Sequence, residues 1–134
     1  MMYDIIGSGV TYEKRPEFMT IGNLIELCLD NPEKTFRFVG TEYTVGHLHS
    51  WRGSYDLPAI SYEEGADTGA DIAQCLLQSL TQTHHGYKGG EYKYTRGNEF
   101  YVAEKGCSEE YKVCGYEIDE DIKEVLLLTK LDPY

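Results

Sequence analysis

Apolar side chains recur at Ile21, Leu24, Ile25, Cys28 and Leu29, a spacing that predicts a helix with one buried stripe. Thr20 is placed to cap its start, and Asn31-Pro32 stops it near Asp30, because proline disfavours helical geometry in the residue before it. Thr35 to Val39 alternates as a strand does. From Gly40 to Pro58 the period is lost among Gly40, Gly46, Gly53 and Pro58, and the stretch reads as a long ordered loop with short extended pieces. Ala59 to Tyr62 forms a short strand in this reading, and the polar run Glu63 to Gly69 leads into a second helix. There Asp67 or Thr68 caps, Ile72, Ala73, Leu76, Leu77 and Leu80 form the stripe, and Gly86 ends the helix just beyond His84.

Four strands are expected after it, at Glu91 to Thr95, Glu99 to Glu104, Glu109 to Ile118 and Glu124 to Lys130. Gly97-Asn98, Gly106 and the acidic run Asp119 to Asp121 separate them, and such short connections make antiparallel meanders. The order defines an α+β fold: an antiparallel sheet with two helices packed on one face, in a single domain over residues 1–134.

Charge narrows the partners. With 23 acidic and 12 basic residues, the formal net charge of -11 repels phosphate backbones and anionic headgroups, so neither nonspecific nucleic-acid binding nor membrane binding is expected. Ten carboxylates against four lysines fall in residues 99–134, where they read as the solvated face of strands. No apolar run approaches the roughly 20 residues of a membrane span, the N-terminus lacks a signal-peptide pattern, and a cytoplasmic location is expected. Cys28 and Cys75 lie on the helical stripes as small core hydrophobes, while Cys107 and Cys114 flank a turn where a reducing cytosol argues against a bridge.

Two short segments carry the least ordinary chemistry. In His47-Leu48-His49-Ser50-Trp51-Arg52-Gly53-Ser54-Tyr55, arginine offers a planar fork for phosphate, serine a hydroxyl, and Trp51 and Tyr55 faces on which a base can stack. In Gly86-Tyr87-Lys88-Gly89-Gly90-Glu91-Tyr92, adjacent glycines allow backbone amides close to an anion and Lys88 supplies countercharge. The competing reading makes the first segment a loop pinned by its own aromatics, with Arg52 in a structural ion pair, and Gly89-Gly90 a bulge or turn. His47, His49, His84 and His85 lack metal-ligand spacing, so neither a metal nor another cofactor is expected.

Those two strings resemble an uncharacterised family of small tailed-phage proteins that share L-H-S-[WY]-R-G-x-Y and G-Y-K-G-G-[DE]-[YF], each after a helix. The resemblance spans residues 20–118, and it departs in the histidine pair before the second motif and in the acidic C-terminal part. It implies a phage origin and an accessory role in a bacterial host cytosol. By analogy with small counter-defence proteins, the expected function is a non-enzymatic binder that sequesters a small anionic ligand of nucleotide type, such as a cyclic nucleotide signal. His49, Ser50, Trp51, Arg52, Tyr55, Tyr87, Lys88, Gly89, Gly90 and Glu91 would form the site, and a homodimer would help so small a domain enclose its ligand. Two alternatives stay open: a nucleotide phosphodiesterase or hydrolase using His49 or His84 with Glu91, and an acidic inhibitor of a basic host surface.

Overall fold

The computed structural model describes residues 18–51, 54–85, 91–104 and 109–133, with the backbone alone at 54–56 and 85. Thr20 Oγ1 accepts from the Asn23 backbone N–H at 3.1 Å, and Asn23 Oδ1 accepts from that of Thr20 at 3.0 Å. This reciprocal box starts helix α1 (Ile21–Asp30) at the expected residue. Asn31 ends it, its backbone N–H bonding Leu27 and Cys28 carbonyls and its side-chain amide bonding Leu27 again. Strand β1 (Thr35–Phe38) follows.

The expected loop over residues 40–58 is instead largely sheet. Strands β2 (Tyr43–Trp51) and β3 (Ser54–Glu64) run antiparallel, and Val45 faces Tyr62 while Leu48 faces Ile60. Between those pairs Gly46 and His47 oppose the single residue Ser61, whose hydroxyl accepts from the His47 backbone N–H at 2.8 Å. The extra residue is a β-bulge, and it keeps Val45 and Leu48 both buried although they are three apart. Alternation fails there for that reason. Pro58 is tolerated because β3 pairs on its other side only at Ala59 and Ile60.

Strand β4 (Asp67–Thr68) leads to helix α2 (Gly69–Thr81), where Thr68 caps the Asp71 N–H. The helix stops at Thr81, before Gly86, and β5 (His84–His85) is already extended. It pairs with β6 (Glu91–Tyr92) in a separate two-stranded ribbon. The strands expected at 91–95 and 99–104 shorten to β6 and β7 (Tyr101–Val102). Those expected last appear within two residues of their predicted bounds as β8 (Tyr111–Asp119) and β9 (Glu124–Leu131).

Among the described residues, seven strands form one sheet in the order β2-β3-β7-β8-β9-β1-β4. The fold is α+β, as expected, but the sheet is mixed and not purely antiparallel. β3 and β7 are parallel, and so are β1 and β9. A parallel neighbour needs a long crossover, which residues 65–100 with α2 supply between β3 and β7.

The main core joins Ile21, Leu24, Ile25 and Cys28 of α1 and Ile72, Ala73 and Leu76 of α2 to Phe36, Phe38, Ile60, Val102, Val113 and Leu127 of the sheet. Gly69 lets the helices meet, since a Cβ there would collide with the Asn31 and Cys28 carbonyls at the end of α1. A smaller cluster gathers Trp51, Ala59, Tyr101 and Ala103. Strand alternation puts Ala59 and Tyr101 on the sheet face opposite Ile60 and Val102.

Candidate functional site

Of the expected site residues, Arg52, Tyr87, Lys88, Gly89 and Gly90 lie outside the described residues, as does the side chain of Tyr55. The others fall into place one by one. Trp51 is 1% exposed, its ring stacked on Tyr101 at 4.1 Å between centroids. Its Nε1 donates to the Glu109 carbonyl at 3.0 Å. His49 is half-buried, with Nε2 at 3.0 Å from the Ala103 carbonyl and Nδ1 at 2.9 Å from that of Ser50. A neutral imidazole can donate to one of those two oxygens. Ser50 is half-buried and Glu91 is exposed.

His49 and Trp51 therefore brace the two ends of the chain segment 103–109. Trp51 also presses on the ring that carries a buried ammonium: Lys112 Nζ lies 4.6 Å from the Tyr101 centroid, 3.0 Å from Glu99 and 2.8 Å from Asp132. Burial opposes that charge, but the hydrogen bonds that Lys112 donates to Asp132 and Glu99 outweigh it and hold Lys112 above the ordinary lysine range.

Of the His49 or His84 that the hydrolase reading pairs with Glu91, the strand register bears on His84, which is not the cross-strand partner of Glu91. Glu91 stands opposite His85, whereas His84 is opposite Tyr92 and stacks against it at 5.3 Å, with Tyr94 at 5.0 Å. A different chain of titratable groups does form, from the Cys75 thiol on α2 to His47 Nδ1 at 3.9 Å and from His47 Nε2 to Glu63 at 3.1 Å. Burial, then the Glu63 and Asp67 carboxylates, raise the Cys75 pKa, which disfavours the thiolate a nucleophile needs. Cys28, inside the core, is pushed up to about 12 by burial.

A cleft of about 400 Å³ opens at the rim of the main core. Phe38 and Val102, both core members, line it, and Tyr43, Tyr62 and Tyr111 supply aromatic surface. The Tyr43 and Tyr62 rings are 5.1 Å apart and tilted by 46°. Glu109 is the one lining residue among those described that is charged at neutral pH, and its carboxylate faces the Tyr62 hydroxyl at 3.5 Å. The same Glu109 is held through its carbonyl by Trp51, which ties the first sequence segment to the cleft from behind.

Sequence reasoning singled out Trp51 for its chemistry and missed Tyr43, Tyr62, Tyr111 and Glu109. The chain has 12 tyrosines, and nothing in their spacing marks these three as neighbours. The chain matches no protein-family model, no curated protein and no solved structure.

Proposed function

We propose that the protein is a non-enzymatic binder of a small ligand, seated in the tyrosine cleft. One observation carries this reading: a cavity at the low end of the usual small-molecule range is lined by three tyrosines, two core hydrophobes and one carboxylate. Tyr43 and Tyr111 are exposed, at 36% and 46%, and a ligand would cover their rings. In the arrangement this reading assumes, both helices lie on one face of the sheet; their shared cluster with Phe36, Ile60 and Val113 supports it.

Nucleotide sequestration between the two sequence motifs is the second reading, supported by the strings around Arg52 and Lys88. The described charge lining the cleft is negative, which supports a ligand other than a phosphate there. The phage origin, cytosolic setting and dimeric state belong to that reading.

A thermal-shift panel of nucleotides, neutral aromatics and organic cations separates the two. A ligand near 100 times its dissociation constant stabilises the native state by about 2.7 kcal/mol. On the cleft reading, Tyr62→Ala abolishes the shift and Arg52→Ala leaves it intact. The reverse pattern, with a nucleotide as ligand, would move the site to the motifs.

A further inference from the structure

We infer that the cleft selects a small organic cation, an ammonium bearing alkyl groups, held against the faces of Tyr43, Tyr62 and Tyr111 with Glu109 as its counter-ion. This rests on the binding reading above and names the ligand's chemistry.

An aromatic face is negative at its centre, so it attracts a cation that carries too much hydrocarbon to be well hydrated. Two of the rings, Tyr43 and Tyr62, touch at 5.1 Å between centroids with a tilt of 46°, so a cation would rest across the pair and not between them. Glu109 is exposed, and among the described residues its carboxylate meets the Tyr62 hydroxyl at 3.5 Å, which leaves it acceptor capacity for a ligand. The adjoining cavity shares Thr41 and Tyr43 with the cleft and adds Glu42 and Glu64. Among the described residues its one cation is Arg37, which is engaged by Glu124 through two hydrogen bonds of 2.9 Å. The net charge of -11 adds a long-range field that draws cations and repels anions. Volume, rings and charge agree on a free small molecule as the occupant, because about 400 Å³ suits one compact group and not a macromolecular surface.

The test compares choline with its neutral isostere, in which carbon replaces the ammonium nitrogen, by titration of the tyrosine ring signals in NMR spectra of the whole chain. Choline should bind, and the isostere should bind about tenfold more weakly or worse, since desolvated cation–π contact and ion pairing each discriminate on that scale. Glu109→Gln should weaken choline several-fold and leave the isostere unchanged. That substitution touches an exposed side chain and keeps the carbonyl that Trp51 holds, so the variant should fold. Equal affinity for choline and isostere would overturn the cationic ligand while keeping the cleft as a site. Failure of both to shift Tyr43, Tyr62 or Tyr111 would overturn the cleft itself.

Discussion

Trp51 works in this molecule through its edge and its burial. A base cannot reach a ring that is 1% exposed and stacked on Tyr101, but the indole N–H reaches across to fix the backbone of Glu109. Trp51→Phe keeps an aromatic against Tyr101 and removes the donor. It should cost about 0.5–1.5 kcal/mol, the usual net worth of one hydrogen bond whose acceptor water can still reach. Because Glu109 is then less firmly held, ligand affinity in the cleft should fall in the same variant. Urea denaturation and ligand titration read the two effects separately, and unchanged stability would show that the bond to the Glu109 carbonyl contributes nothing.

At the level of elements, two close approaches shape the fold. A Cβ on Gly69 would come within 2.5 Å of the Cys28 carbonyl and 3.0 Å of Phe36, so the start of α2 could no longer seat on the end of α1. Gly69→Ala should destabilise the protein by about 1–3 kcal/mol through overpacking. Gly115→Ala is the control, because its nearest neighbour apart from the adjoining residues, Leu128, would sit at 3.8 Å in ordinary contact. Denaturation midpoints should separate the two variants, and equal midpoints would remove the steric account of the helix pair. The β2–β3 hairpin shows the same physics in a strand: Gly46 lies in the bulge where any side chain would strike Ser61.

Across the whole molecule, two ion clusters set opposite pH limits. Hydrogen bonds from Arg37 hold the Glu124 carboxyl below its usual range, more than burial raises it. That pair joins the parallel strands β1 and β9, at positions near Thr35 and its partner Glu124. A folded-state pKa below the unfolded value gives stability that is present at neutral pH and lost as pH falls through the folded pKa. Lys112 is the converse. Its raised pKa contributes fully below the ordinary lysine range and is lost as pH rises through the folded value. Melting temperature followed against pH should therefore drop on both sides, with Glu124→Gln flattening the acid limb and Lys112→Met the alkaline one. If neither variant changed its own limb, the stability-versus-pH profile would have other causes.

What the sequence alone determined is what depends on neighbours a few residues apart. Thr20 and Thr68 as caps, the stop at Asn31-Pro32, the helical stripes and the last two strands depend on short-range sterics and periodicity, and each is where the pattern put it except that α1 buries Leu27 and leaves the expected Leu29 exposed. The β2–β3 hairpin was hidden because its bulge shifts the inward side chains from two apart to three, and a glycine-rich stretch that breaks alternation looks like a loop. Only tertiary structure decided the mixed sheet, since the pairing of β1 with β9 joins residues some 89 apart in the chain, as Thr35 with Glu124. The cleft is of the same kind: Tyr43 comes from β2, Tyr62 from β3, and Tyr111 from β8 with Glu109 just before it, and their convergence follows from strand order and not from any local pattern. Trp51 joins the two levels, legible as unusual in the sequence, while its partner was set by how the sheet folds back on it.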